Sequence, residues 1–79
     1  MDISERVKAI IAELLDERRE NVCDDTNIEV DLCADSMDKI EVMVALEEAF
    51  GIEIVDEEAD GLVTVGDVVR CVERKVRQK

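Results

Sequence analysis

Ser36 lies between two carboxylates, in the run Asp31-Leu32-Cys33-Ala34-Asp35-Ser36-Met37-Asp38-Lys39-Ile40-Glu41. A serine becomes a nucleophile when a neighbouring base takes its proton, most often an imidazole. The chain has no histidine, so that route is closed. Three cysteines, Cys23, Cys33 and Cys71, include no Cys-x-x-Cys pair. A zinc site would need carboxylates beside thiolates, which is unusual, and no metal site is expected. A glycine-rich phosphate loop is also missing. Catalytic residues are therefore not expected, and the chain does not read as an enzyme. A framed hydroxyl at a helix mouth with no base of its own suits a different chemistry, in which a separate enzyme attaches a group to it. The plainer reading of Ser36 is a helix N-cap.

The elements that must hold this serine are helical. Asp2 and Glu5 have capping-box spacing. Val7, Ile10, Ile11, Leu14 and Leu15 then recur at i, i+3, i+4, i+7 and i+8, which predicts a first helix from Ile3 to Leu15 or Asp16. Residues 17–35 show no sustained period, and Asp24-Asp25-Thr26-Asn27 is turn chemistry. Alternation at Ile28, Val30 and Leu32 would suit a strand, but nothing else in the chain offers it a partner. A loop of this length in a small domain tends to be functional. The second helix is expected from Ser36 to Phe50, stopped by Gly51. Asp56 to Asp60 reads as a short acidic helical turn ending near Gly61. Thr64 with Asp67 caps a last helix with Val65, Val68, Val69, Val72 and Val76 on one face. Arg74, Lys75 and Arg77 complement its dipole. The fold class is all-α: a small four-helix bundle with three longer helices, one short acidic helix, and a long loop between the first two. One domain, 1–79, is expected.

Composition narrows the partners. The formal charge is −12. From Glu20 to Asp60 stand 15 acids and one base, Lys39, a local charge of −14. Such a field disfavours nucleic acid and anionic membranes and favours partners with basic patches. The start Met1-Asp2-Ile3-Ser4-Glu5-Arg6 does not read as a signal peptide. The longest apolar run, Val42 to Leu46, is too short to span a membrane. Three reduced thiols fit a cytoplasmic location, with Cys71 packing as a small hydrophobe. Phe50 is the one aromatic residue, so the core should be pliable, because rings supply large rigid contact areas.

Placing residues every ~100° from Ser36 separates two apolar arcs on the second helix. Val42, Met43, Leu46, Ala49 and Phe50 fill a broad arc expected to face the core. Met37, Ile40 and Val44 fall on a second arc, bordered by Glu41, Glu47 and Glu48. An apolar strip with a carboxylate rim has the layout of a protein docking site, its rim steering a basic partner. The competing reading packs Met37, Ile40 and Val44 against the long loop.

The run from Asp31 to Asp38, followed by Ile40-Glu41, Ala45-Leu46-Glu47-Glu48, Phe50 and Asp56-Glu57-Glu58-Ala59, resembles the acyl carrier proteins of the dissociated fatty-acid-synthase type. The resemblance covers essentially the whole chain, and the family's attachment serine falls on Ser36. It implies that a phosphopantetheinyl transferase esterifies Ser36 with 4′-phosphopantetheine from coenzyme A, and that the arm carries acyl chains as thioesters to fatty-acid, related lipid or polyketide enzymes. It implies a supporting role for Asp35 toward the transferase and its metal. The partner face carries over as Met37, Asp38, Ile40, Glu41, Val44, Glu47 and Glu48. The family stores the chain between helices; by face position the lining would be Met43, Leu46, Ile54, Ala59, Leu62, Val68 and Val72. A monomer is expected.

Three positions depart from the family's pattern. Cys33 stands where glycine is usual, which puts the loop geometry in question. Met37 replaces a common leucine, a volume-conserving swap. Val55 stands where proline is frequent. These raise the expectation of a secondary or specialised carrier. The alternative function is a peptidyl or aminoacyl carrier of a non-ribosomal pathway; those usually have a less acidic second helix. An acidic divalent-cation-binding protein is the other alternative. An EF-hand loop over Asp24 to Asp35 fails, because it needs glycine at position 6 and an oxygen ligand at position 5, which is Ile28.

Overall fold

A computed structural model of the chain describes residues 2–78; Met1 and Lys79, the ends of the expected 1–79 domain, lie outside the described residues. Helix α1 spans Ile3–Leu14, α2 Ser36–Phe50, α3 Asp56–Asp60 and α4 Val65–Arg77. A 3-10 turn at Arg19–Asn21 interrupts the long loop, an element that its aperiodic sequence does not announce. Among the described residues no strand forms, and no helix is long and apolar enough to cross a membrane. The chain is an all-α four-helix bundle, as its periodicity implies.

Each helix starts where a side chain can satisfy its unpaired N–H groups. Asp2 accepts from the Glu5 N–H at 2.8 Å. Thr64 and Asp67 form a reciprocal box on α4. Glu58 accepts from the Val55 N–H at 3.4 Å at the head of α3, half of a box, since valine has no acceptor to return. Helix α1 ends one or two residues earlier than its apolar pattern reaches, in a Schellman motif: the Glu17 N–H donates to the Ala12 carbonyl at 2.8 Å and the Asp16 N–H to that of Glu13 at 3.3 Å. Asp16 takes the left-handed φ of 55° that this motif requires. Leu14, expected on the core face, is 41 % exposed, because this last turn projects past the core that Val7 and Ile11 help to build.

One core joins α1, α2 and α4. Val7, Ile11, Val42, Leu46, Val65, Val68 and Val72 are fully buried in it, and Cys71 packs among them. Fully burying one such valine or leucine contributes about 1.5–3 kcal/mol. Ala49 was expected in the core arc of α2 but lies at its edge and is exposed. Its carbonyl instead accepts from Arg6 Nη2 at 3.3 Å, and the Arg6 guanidinium stacks 4.5 Å over the Phe50 ring. Helix α2 has no base in its last turn, so α1 supplies the cation that its C-terminal dipole favours.

The long loop is held by backbone groups of α4 and the segment before it. The Val65 and Gly66 N–H groups, in the first turn of α4, donate to the Thr26 and Asp24 carbonyls at 2.9 and 2.7 Å. The Ile28 N–H donates to the Val63 carbonyl at 3.1 Å, and Asn27 and Thr64 form an isolated antiparallel bridge. A partner for the loop therefore exists, but for one residue pair only. The chain turns at once: Asn27 Oδ1 accepts from the N–H groups of Glu29 and Val30, and Asp31 Oδ2 from that of Asn27. Ile28 and Leu32 are buried and Val30 exposed, so the alternation in burial survives without a strand. Lys8 adds an ion pair to Asp24 at 2.8 Å, and Arg19 pairs with Glu5.

Candidate functional site

The loop delivers the chain to Ser36 through a left-handed residue. Cys33 holds φ at 55°, in the left-handed region that glycine enters at no steric cost, here with a Cβ in place. Ala34 follows, buried, its N–H donating to the Ile28 carbonyl at 3.2 Å. This fixes Asp35 at the mouth of α2. Asp35, and not Ser36, is the N-cap: its Oδ1 accepts from the Asp38 N–H at 2.9 Å, and Asp38 Oδ2 accepts from the Asp35 N–H at 3.3 Å. Ser36 is the first helical residue and is exposed. Among the described residues nothing takes its hydroxyl, and the plain N-cap reading of Ser36 is replaced.

The two aspartates that frame the serine are thus occupied with each other's amides. The Lys39 N–H donates to the Asp35 carbonyl at 3.0 Å. Among the described residues the Ser36 and Met37 N–H groups, in the first turn of α2, find no acceptor, and the dipole at this helix end favours an anion. A phosphodiester on the Ser36 oxygen fits this position: the oxygen is accessible, the cap does not need it, and two backbone donors stand beside it.

Met37, Ile40 and Val44 are 67, 59 and 45 % exposed. They do not pack against the loop. Glu41 and Glu48 flank them in solvent. Glu47 is placed differently from its expected position on the rim. It is half-buried, and its Oε2 accepts from the Ile54 N–H at 2.8 Å, tying α2 to the segment before α3.

An open groove of about 610 Å³ runs from Ser36 along the side of α2 to α3. Its walls include Ala34, Asp35, Ser36, Lys39, Ile40, Met43, Val44 and Glu47 on one side and Ile54, Asp56, Ala59 and Asp60 on the other, with Glu29 of the loop. Of the expected acyl lining, Met43, Ile54 and Ala59 stand in these walls. Leu46, Leu62, Val68 and Val72 lie beneath them in the packed core, at most 9 % exposed. Ile40 and Val44 belong both to the groove and to the outer strip, so the two surfaces are continuous. Lys39 and Glu29 were not anticipated in the groove; Lys39 Nζ meets Glu29 Oε1 at 3.3 Å. The ~100° spacing puts Lys39 in the core arc of α2, but that this side chain opens into a groove follows only from how the loop and α3 pack beside it. Glu29 gave no signal.

Helix α3 closes the far side through Glu58, which pairs with Lys75 at 2.7 Å and Arg74 at 3.3 Å on α4. The Lys75 hydrogen bond holds the Glu58 carboxyl below its ordinary range. Lys8 does the same for Asp24, and the Thr64 and Val63 N–H groups for Asp67. Burial pushes the Cys71 thiol up.

Residues 5–72 match the family described as Phosphopantetheine attachment site. Among solved structures, the acyl carrier protein from Enterococcus faecalis is similar: the two are 37 % identical, the alignment covers 92 % of each chain, and the TM-score is 0.79.

Proposed function

The chain belongs to the family that carries a phosphopantetheine attachment site, and within it to the acyl carrier proteins; on that premise we propose that Ser36 is the attachment residue and that the cargo is an acyl chain of fatty-acid or related synthesis. The observation that carries this reading is the division of labour at the head of α2. Asp35 performs the capping, which leaves the Ser36 hydroxyl exposed and unbonded at the end of a groove. A transferase would form the bond from Ser36 Oγ to the phosphorus of coenzyme A, release 3′,5′-ADP, and take the hydroxyl proton on its own base. The arm, when attached, supplies a terminal thiol that holds the acyl group as a thioester.

The chain's own residues position, shield and present. The open Ser36 and Met37 amides favour the phosphodiester at the arm's root. The groove offers Met43, Ile54 and Ala59 as its apolar wall. The residues beneath, among them Leu46 and Val68, are aliphatic, and parting such side chains to admit a chain costs a moderate amount for each cavity opened. The exposed strip Met37, Ile40 and Val44, with Glu41 and Glu48, suits basic partner enzymes, the acids setting orientation and encounter rate. Asp35 and Asp38 keep carboxylate oxygens at the surface for a transferase and its metal. A single carrier domain working as a cytoplasmic monomer completes the reading.

Intact mass decides the attachment. Wild-type protein incubated with coenzyme A and a broad-specificity phosphopantetheinyl transferase should gain one phosphopantetheine, and Ser36→Ala none. A wild type that gains no mass, or a mutant that gains it, refutes the assignment. Loading by a malonyl transferase supports acyl cargo. Loading by an amino-acid adenylating enzyme, with refusal of malonyl, would make the chain a peptidyl or aminoacyl carrier instead.

A further inference from the structure

Lys39 is the one base between Glu20 and Asp60, against 15 acids. Counting ~100° per residue places it in the buried arc of α2 with Met43, Leu46 and Phe50, away from the outer strip. Its side chain is only 15 % exposed. A lysine so placed lays its stem on apolar surface and brings its ammonium out at the nearest polar opening, here the groove wall shared with Ser36. The two residues are spaced i, i+3, one helical turn apart on neighbouring lines of the helix surface. Among the described residues, its one ion pair is a single contact to Glu29, a carboxylate that is itself 63 % exposed. That contact is loose and open to exchange.

A phosphodiester on Ser36 would stand between Asp35 and Asp38 inside a segment of charge −14. The two open amides and the helix end offset this only in part, since a helix N-terminus acts as about half a positive charge. Resting on the Ser36 assignment, we propose that Lys39 is the counter-ion of the phosphodiester. Its ammonium turns from Glu29 to the phosphate once the arm is attached, and draws the root of the arm toward the groove and away from the outer strip. Lys39 is thus a positioning residue for the arm, and Glu29 parks it in the unmodified protein.

The experiment compares wild type, Lys39→Met, Lys39→Gln and Lys39→Arg, each before and after modification, with modification verified by intact mass. Attachment should lower the melting temperature of Lys39→Met and Lys39→Gln by about 2–6 °C more than that of wild type. High salt should erase the difference, and Lys39→Arg should behave as wild type. The phosphorus resonance of the two neutral variants should be displaced from that of wild type, and the Lys39 ammonium nitrogen of wild type should shift on modification. A merely structural tether to Glu29 would lower both forms alike. Equal melting changes, with unmoved phosphorus and ammonium resonances, overturn the proposal. A wild type that accepts no arm refutes the Ser36 assignment, and this proposal falls with it; a normal mass gain without these effects refutes this proposal alone.

Discussion

Replacing Cys33 by glycine should stabilise the protein, and the size of the gain follows from one backbone angle. Cys33 sits at φ 55°, where the Cβ of an L-residue crowds the backbone at a cost of about 1–2 kcal/mol. Little is lost with its side chain, which is exposed and makes only a long contact from Sγ to the Val30 carbonyl at 3.9 Å. Glycine removes the crowding but leaves the unfolded chain freer by about 0.4–1 kcal/mol. Taken mid-range, the net gain is about 0.8 kcal/mol, or roughly 3–6 °C in melting temperature for a domain of this size. Urea unfolding of the reduced protein should show a higher midpoint with an unchanged slope. Cys33→Ala is the control that isolates the cause: it removes the thiol and keeps the Cβ, so it should stay near wild type. Asp16→Gly repeats the test at the Schellman position of α1, also at φ 55°. If Cys33→Ala stabilises as much as Cys33→Gly, or the glycine variant gains nothing, the strain argument is wrong.

Two further outcomes follow from the way α3, α4 and the loop are joined. A Cβ at Gly66 would stand 2.8 Å from the Asp24 carbonyl oxygen, which the Gly66 N–H also needs; Gly66→Ala should therefore cost about 1–3 kcal/mol, despite alanine's better helix propensity, and should raise hydrogen exchange in the loop. The carboxyls of Asp24, Glu58 and Asp67 are all held below their ordinary values. Groups depressed in the folded state add stability that is present above the unfolded carboxylate values and is lost as pH falls through the folded ones. Stability should therefore drop below about pH 4, and Glu58→Gln should flatten that decline in a pH series of urea midpoints.

The helices were legible because their signals are local. Apolar spacing and capping side chains gave α2 and α3 their bounds, gave α4 its start, and placed the end of α1 to within a residue or two. Ser36 was legible as a framed hydroxyl, but its freedom was not, because serine and aspartate are equally good N-caps and the sequence does not say which one takes the position. The path of the long loop was hidden for a different reason. It is pinned by N–H groups of Ile28, Val65 and Gly66 meeting distant carbonyls, and backbone groups are alike at every residue. Glu47 read as a rim acid until the Ile54 amide came within its reach.

By itself the sequence determined the helical architecture, the acidic field around Ser36, the want of a catalytic base, and the likeness to acyl carriers, since each of these is carried by residue types at short spacings. Tertiary structure alone decided that Asp35 caps while Ser36 stays free, that Met37, Ile40 and Val44 face solvent, and that Lys39 reaches the groove. Those outcomes depend on which surfaces the loop and α3 cover, and that coverage is set by packing and hydrogen bonds between segments far apart in the chain.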